Sequence, residues 1–173
     1  MPGMLYLVPT PIGNLGDISP RARQTLEEAD FIAAEDTRVS LKLLNHLGIK
    51  KPLVSYYEHN QAESGPKIVQ RLMCGEDCAL VTDAGMPCIS DPGNELIKRA
   101  LEEGFPVIPV PGACAAVSGV SVSGFDLTSF LFCGFFPKEN TEKKEELKRL
   151  ESGVTRTFVY YESPKRIMKT MAF

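Results

Sequence analysis

Short apolar runs recur along the chain and alternate with segments whose apolar residues have helical spacing. Strands of a parallel sheet are buried on both faces, so they read as continuously apolar runs. The pattern therefore predicts an α/β fold built around a parallel sheet. The predicted strands are Met4–Val8, Phe31–Ala34, Leu53–Tyr56, Ala79–Thr82, Val107–Val110, Phe130–Phe135 and Thr157–Tyr161. Prolines in and beside Val107–Val110 predict that this strand is at a sheet edge or a strand end.

Three dipeptides predict helix starts, because each places an N-cap side chain before a proline suited to the first helical position. They are Ser19-Pro20, Asp91-Pro92 and Ser163-Pro164. Since capping gives Asp91 a sufficient structural role, we assign it no part in catalysis. Further helices are predicted at Val39–His46, Pro66–Met73, Val117–Ser123 and Asn140–Glu151.

The Pro111-Gly112 pair and the small residues after it predict a junction between two domains, 1–111 and 112–173. The second domain is predicted to hold two strands and three helices, which make a poor independent core. Its last helix carries Ile167, Met168 and Met171 on one side and reaches Phe173 without a stop signal. We therefore expect this domain to be incomplete in the chain.

The composition, with 43% hydrophobic and 24% charged residues, is typical of a soluble globular protein. No apolar run is long enough to cross a bilayer and no signal peptide is recognisable, so we expect a cytoplasmic protein. Five cysteines without a C-x-x-C pair favour reduced thiols, and no metal site is expected. Residues 138–173 are basic, with 9 Lys and Arg against 6 Asp and Glu, and the interleaved charges favour a solvated helix face.

The candidate chemistry lies in turns that follow predicted strands, where open parallel sheets bind their ligands. The phosphate-loop, dinucleotide-binding and nucleophile-elbow motifs are absent from the sequence. In Thr82–Gly93, Asp83 ends a strand and Gly85 permits close backbone approach, which favours a ligand site. Pro9–Leu15 could offer backbone groups to an adenosine-like ligand, although the segment taken alone favours an ordinary rigid connector.

Ala34–Arg38 and Tyr56–Asn60 are candidate substrate contacts with structural alternatives. In the first segment, Asp36 or Thr37 could instead cap a helix while Arg38 pairs with an acid. The second segment has two tyrosines and His59, a mixture able to stack a base and bind a sugar, yet it also suits a surface loop.

Five segments occur in one order that resembles ribosomal RNA methyltransferases of the tetrapyrrole-methylase superfamily: Leu7–Leu15, Ala34–Arg38, Thr82–Gly93, Val110–Gly112 and Tyr161–Arg166. The likeness covers essentially the whole chain, with slight departures at Met86 and Cys88. It implies two α/β domains, S-adenosylmethionine in the cleft between them, a dimer, and methylation of a cytidine ribose 2′-hydroxyl in small-subunit ribosomal RNA. Carried over by position, the cofactor-binding residues are Pro11, Asp83, Gly85, Ile89, Cys114, Ala115, Phe135 and Tyr161.

Methyl transfer to a hydroxyl needs alignment of the reacting groups and a group that accepts the hydroxyl proton. The catalytic candidates are Glu35, His59 and Asp36, of which Glu35 and His59 are the more plausible proton acceptors. The candidate RNA contacts are Arg38, Asn60, Lys165 and Arg166, with Lys138, Lys143 and Lys144 as further phosphate contacts. Two alternatives remain open: a corrin-ring or diphthine-type methyltransferase of the same superfamily, and a non-catalytic adenosine-nucleotide-binding module.

Overall fold

The computed structural model of the protein describes residues 1–151 and 156–173. The chain divides into two compact units, Met1–Cys114 and Ala115–Phe173. Unit 1 contains a five-stranded sheet and unit 2 a two-stranded sheet. The division into the two domains 1–111 and 112–173 remains a prediction.

Unit 1 alternates strands and helices, as the apolar pattern predicted. Its strands are β1 (Leu5–Leu7), β2 (Phe31–Ala34), β3 (Leu53–Ser55), β4 (Cys78–Val81) and β5 (Val107–Pro109). Its helices are α1 (Pro20–Glu28), α2 (Thr37–Leu47), α3 (Gln61–Met73) and α4 (Asn94–Glu102), and a short 3₁₀ turn covers Leu15–Asp17. The strands lie in the order β3-β2-β4-β1-β5, and every pair is parallel. The proline-bearing strand β5 lies at the edge, as predicted.

Both faces of this sheet are covered, which explains why its strands are continuously apolar. Along β2, Ile32 packs on one face with the apolar side chains of α1 and α2. The adjacent Phe31 and Ala33 pack on the opposite face with those of α3 and α4. Full burial of one large aliphatic side chain stabilises a fold by about 2 kcal/mol. Two such layers therefore hold the strand ends of unit 1 in place.

One of the three predicted helix starts is confirmed and two are wrong in position. Ser19 caps α1, with its Oγ accepting from the backbone N–H of Ala22 at 3.1 Å. Asp91 does not cap α4, which begins at Asn94 after Gly93. The backbone at Gly93 has a φ of +145°, which interrupts any helix between Pro92 and Asn94. The last helix begins at Ile167, three residues later than the Ser163-Pro164 pair predicted.

Unit 2 pairs the parallel strands β6 (Phe130–Phe135) and β7 (Thr157–Tyr161). Its helices are α5 (Ala115–Ser121), α6 (Asn140–Glu151) and α7 (Ile167–Met171). The strands and α6 match the prediction. The apolar side predicted for α7 is exposed, since Met168 and Met171 keep 80% and 77% of their surface accessible.

Within residues 1–151 and 156–173, no helix is both long and apolar enough to cross a membrane.

Candidate functional site

The candidate site of unit 1 lies at the carboxyl ends of its parallel strands. Because the strand order is β3-β2-β4-β1-β5, the segments after these strands follow one another along one edge of the sheet. In spatial order they begin at Tyr56, Glu35, Thr82, Val8 and Val110. The sheet thus brings together five segments that the sequence singled out separately, with the substrate candidates beside β2 and β3 and the cofactor candidates beside β4, β1 and β5.

The loops after β1, β4 and β5 meet because these strands are neighbours. Thr10 and Gly85 form an antiparallel bridge with two backbone hydrogen bonds of 3.0 Å. A Cβ atom on Gly112 would lie 2.4 Å from Cγ of Pro9, so only glycine fits there. Pro11, a predicted cofactor residue, directly follows the bridged Thr10.

Gly85 has the backbone freedom that the sequence suggested, with a φ of +89°. A Cβ atom there would lie 3.3 Å from Cδ1 of Ile12 and 3.7 Å from the carbonyl oxygen of Ala113. Cys114, another predicted cofactor residue, comes next in the chain and is partly buried. The predicted cofactor residue Ile89 is 39% exposed, so an apolar side chain remains available beside these backbone turns.

In the loop after β4, the backbone is strained on both sides of Ile89. Cys88 and Ser90 have φ values of +70° and +66°, a conformation that non-glycine residues adopt at a cost of about 1–3 kcal/mol. Strained backbone of this kind concentrates at functional sites, which adds weight to the prediction for this loop.

Glu35 is held at the end of β2 by the end of β4. Its Oε2 accepts from the Thr82 hydroxyl at 2.6 Å and from the backbone N–H of Asp83 at 3.5 Å. In return, Oδ1 of Asp83 accepts from the backbone N–H of Asp36 at 3.2 Å. Burial and the nearby Glu35 carboxylate raise the pKa of Asp83. These acids share a cavity of about 420 Å³ lined by Glu35, Asp36, Thr37, Arg38, Ser55, Tyr57 and Asp83.

Asp91 belongs to this acidic cluster, which the sequence analysis missed. It does not cap α4, whose N-cap position is Gly93. Burial, followed by the Glu35 and Asp83 carboxylates, raises the pKa of Asp91 to about 6. Burial and Asp91 likewise raise the pKa of the Cys88 thiol to about 11. The sequence Ser90-Asp91-Pro92 did not indicate this position for Asp91, because the same residues are also typical of a helix N-cap.

Asp36 and Arg38 adopt the structural alternative that the sequence left open. Oδ1 of Asp36 accepts from the backbone N–H of Arg38 at 2.8 Å, so Asp36 caps α2. Its Oδ2 lies 2.6 Å from the Arg38 guanidinium. These hydrogen bonds lower the pKa of Asp36 to about 2, so its carboxylate is a weak proton acceptor.

The segment after β3 presents an aromatic side chain to the same cavity. Tyr57 lines the cavity and is 41% exposed, whereas Tyr56 is buried in the core. The exposed His59 ring meets Tyr57 edge to face, with centroids 6.2 Å apart. Asn60 is used locally, since its Oδ1 accepts from the Tyr57 N–H at 2.8 Å and its Nδ2 donates to the Ser55 carbonyl at 3.0 Å.

Unit 2 brings its three cofactor candidates close together. The Tyr161 hydroxyl accepts from the backbone N–H of Ala116 at 3.2 Å, beside Ala115 at the start of α5. The Phe135 and Tyr161 rings lie 5.8 Å apart. Ala115 and Tyr161 line one cavity of about 450 Å³.

The basic candidates of unit 2 differ in accessibility. Lys165 is exposed, while Arg166 forms a 2.5 Å ion pair with Glu162. Lys143 is buried, with its ammonium 4.9 Å from the centroid of the Phe173 ring, so the prediction of a phosphate contact there is wrong. In the described ranges, no group of three or more His, Cys, Asp or Glu side chains is arranged to hold a metal ion.

Sequence comparison identifies the family. Residues 4–173 match the family model of the tetrapyrrole (corrin/porphyrin) methylases. The chain is 50% identical over 169 residues to the ribosomal RNA small subunit methyltransferase I of Halalkalibacterium halodurans, covering 98% of this chain and 58% of that protein. Proteins of the same name from Bacillus subtilis and Pseudomonas aeruginosa are 48% and 45% identical over 170 residues, each across 98% of this chain and across 58% and 60% of their own lengths. The chain thus spans about three fifths of the length of these curated relatives.

Solved structures show the same fold at low sequence identity. The uroporphyrin III C-methyltransferase of Thermus thermophilus matches with a TM-score of 0.57 and 22% identity, over 76% of this chain and 59% of that one. A conserved hypothetical protein of Aeropyrum pernix matches with a TM-score of 0.60 and 21% identity, over 79% and 48% of the two chains. The resemblance inferred from the ordered strand-end segments is thereby confirmed, and the chain belongs to the tetrapyrrole (corrin/porphyrin) methylase family.

Proposed function

We propose that this chain supplies the cofactor loops and the proton acceptor of an S-adenosylmethionine-dependent methyltransferase. The whole protein would transfer a methyl group to the ribose 2′-hydroxyl of a cytidine in small-subunit ribosomal RNA. The main support for this proposal is the position of the Glu35 carboxylate, which Thr82 and Asp83 hold at a cavity beside the cofactor loops. The names of the relatives, which are 45–50% identical, support ribosomal RNA as the substrate.

The loops of unit 1 suit a cofactor that is both apolar and positively charged. Ile12 and Ile89 are exposed beside the glycine turn at Gly85, where backbone can approach a ligand closely. The acidic cluster of Glu35, Asp83 and Asp91 makes a negative region that attracts a cation. When bound, S-adenosylmethionine supplies a methyl group carried on a positively charged sulfur. Its proposed ligands remain Pro11, Asp83, Gly85, Ile89, Cys114, Ala115, Phe135 and Tyr161.

Glu35 is our choice among the three catalytic candidates. A proton acceptor must lie within hydrogen-bond reach of the attacking hydroxyl and hold its orientation. The Thr82 hydroxyl orients Glu35 through a hydrogen bond of 2.6 Å, whereas the carboxylate of Asp36 is occupied by its helix cap and Arg38. His59 is exposed and packs edge to face on Tyr57, which suits it to substrate contact.

The side chains that line the cavity indicate which residues would contact the RNA. Tyr57 offers an exposed ring on which a base can stack, and such stacking contributes about 1–3 kcal/mol. Arg38, whose side chain is 87% exposed, lies at the rim where a phosphate would meet it. Lys165 and Arg166 are the proposed phosphate contacts of unit 2, and Asn60 holds Tyr57 in place through its backbone.

We further propose that the whole protein is a cytoplasmic homodimer. A ribosomal RNA substrate supports the location. Exposed apolar side chains in unit 2, including Val122 and Phe125, support an interface, because apolar patches of this kind mark contact sites.

The transfer itself is tested with the native-length protein, radiolabelled S-adenosylmethionine and small ribosomal subunits from cells that lack the gene. We expect methylation of a single cytidine ribose. Glu35→Gln should lower kcat about 100-fold or more with unchanged cofactor affinity, because general-base catalysis contributes factors of about 10²–10⁴. His59→Ala serves as the comparison and should retain most of kcat. Wild-type kcat in Glu35→Gln, or transfer to a tetrapyrrole instead of RNA, would contradict the proposal.

Cofactor binding is tested by calorimetry with S-adenosylmethionine and ATP. Gly85→Ala should weaken S-adenosylmethionine binding because it adds a methyl group among the cofactor loops. Gly104→Ala is the matched control, since Gly104 has a similar φ of +78° and open space around its Cα. Equal affinities in the two variants, or a preference for ATP, would count against the cofactor assignment.

A further inference from the structure

We propose that Thr10 is a positioning residue for the cofactor, because it ties both ends of the turn Thr82–Gly85 to the loop after β1. The inference rests on the proposed function, in which this turn binds S-adenosylmethionine through Asp83 and Gly85. It assigns a role to a threonine whose side chain the sequence motifs leave without one.

The Thr10 side chain is buried and makes a long-range hydrogen bond. Thr10 and Thr82 are 4% and 3% exposed. Oγ1 of Thr10 donates to the backbone carbonyl oxygen of Thr82 at 3.0 Å, although the two residues are 72 positions apart. Threonine hydroxyls often bond locally instead, as Thr25 does to the carbonyl of Arg21 in its own helix at 2.8 Å. The Thr10 hydroxyl therefore connects two separate loops.

The hydrogen bonds between β1 and β4 explain why a hydroxyl is needed at this point. These strands are parallel, and the N–H of Val8 donates to the Leu80 carbonyl at 2.9 Å. In a regular parallel ladder, the next bond of this series would run from the N–H of Thr10 to the carbonyl of Thr82. The Thr10 N–H donates to the Gly85 carbonyl instead, at 3.0 Å. The Thr10 hydroxyl supplies the donor that the Thr82 carbonyl has thereby lost.

Three hydrogen bonds from one residue thus fix the turn at both of its ends. The hydroxyl holds Thr82 at the start, and the backbone N–H and carbonyl of Thr10 hold Gly85 at the end. Asp83 lies between these two points, and Gly85 adopts a φ of +89°. A turn held in this way is preorganised, so a ligand does not bear the cost of ordering it. Cofactor affinity should accordingly depend on the Thr10 hydroxyl.

Calorimetry and kinetics with S-adenosylmethionine and the native-length protein measure this dependence. Thr10→Val removes the hydroxyl at nearly constant volume and leaves the buried Thr82 carbonyl without that donor, which favours movement of the turn toward water. Only the molecules with the turn in place would then bind the cofactor. We expect Kd and KM for S-adenosylmethionine to rise about 10-fold, because the apparent Kd is the intrinsic Kd divided by that fraction. At saturating cofactor, kcat should stay within about threefold of the wild-type value, since the bound cofactor holds the turn in place.

Two comparisons separate this role from a general effect on folding. Thr10→Ser keeps the hydroxyl and should keep Kd within about threefold of the wild-type value. Thr25→Val removes another buried threonine hydroxyl that donates to a backbone carbonyl, within α1, and should leave Kd unchanged. The inference is overturned if Thr10→Val binds the cofactor as tightly as Thr25→Val, or if Thr10→Ser binds it as weakly as Thr10→Val. If Thr10→Val folds poorly, Thr10→Ser and Thr10→Ala differ by the hydroxyl alone, and equal affinities in that pair would overturn the inference as well.

Hydrogen exchange distinguishes a failure of this inference from a failure of the proposed function, since it needs neither cofactor nor RNA. The Gly85 N–H donates to the Thr10 carbonyl at 3.0 Å and should exchange about 10-fold faster in Thr10→Val, while the Val8 N–H should keep its wild-type rate. An unchanged Gly85 rate would overturn the inference and leave the proposed function in place. Weaker cofactor binding by Thr10→Val, together with no methylation of ribosomal RNA by the wild type, would instead reject only the proposed methylation of RNA.

Discussion

The carboxyl group of Asp91 lies in surroundings that favour its protonated form. Its pKa is raised from 3.8 to about 6, chiefly by burial and then by Glu35. Between these two values the folded protein binds more protons than the unfolded chain. The free energy of unfolding therefore falls as pH rises through this window, and the destabilisation is fully developed above pH 6.

This linkage predicts that Asp91→Asn stabilises the protein at neutral pH. Partial exposure screens the group, so we expect a gain of about 1 kcal/mol at pH 7 and little change at pH 4. Urea denaturation at both pH values measures the difference. Asp17→Asn, at an exposed position, is the control. A gain of equal size at both pH values would contradict the assignment. A variant that is more stable but catalytically impaired is the expected signature of a functional acid.

At the scale of single elements, the starts of the helices depend on local hydrogen bonds that differ in quality. Ser19 makes a cap bond of 3.1 Å to the N–H of Ala22. The Ser163 hydroxyl lies 3.4 Å from the N–H of Lys165, near the limit for a hydrogen bond, and α7 begins only at Ile167. The same Ser-Pro dipeptide thus gives a strong cap at Ser19 and a weak one at Ser163.

Ser19→Ala is accordingly expected to lower the free energy of unfolding by about 1 kcal/mol, the usual contribution of an N-cap. Ser163→Ala should have a smaller effect, and Ser19→Asp should restore most of the loss because Asp is also a good cap. Chemical denaturation of the four proteins tests the order. Equal losses in the two alanine variants would show that cap distance does not decide stability here.

At the scale of the whole molecule, the core is distributed unevenly between the units. Both buried apolar clusters of the described residues lie within unit 1. The buried apolar side chains of unit 2 in the described part are Ala116 and Val120, while Phe125, Met168 and Met171 are largely exposed. Burial of apolar surface is the main favourable term in folding, so the two units should differ in autonomous stability.

We therefore predict that a fragment of residues 1–114 folds by itself with a cooperative urea transition. A fragment of residues 115–173 should show weak or no cooperativity under the same conditions. Circular dichroism during denaturation distinguishes the two. A non-cooperative 1–114 fragment would mean that its core needs further chain to form.

Much of the fold and of the candidate site was predictable because it depends on local chemistry. Continuous apolar runs predicted all seven strands of the described residues, since strands buried on both faces need apolar side chains throughout. The turns at Gly85 and after Pro9 were recognisable from local sequence, because glycine frees the backbone and proline restricts it. The family was recognisable because its motifs occur in order along the chain, and the family match confirms it.

Other features depend on contacts between distant segments, and only the tertiary structure decided them. The strand order placed β4 between β2 and β1, which brought Thr82 against Glu35, 47 residues away in sequence. A positive φ at Gly93 prevented the Asp91-Pro92 pair from starting a helix and left Asp91 to join the acids. The local amino-acid sequence thus determined the helices, the strands and the candidate loops. Strand order and backbone conformation determined which side chains meet, because hydrogen bonding between carboxyl groups and hydroxyls requires proximity that no local pattern encodes.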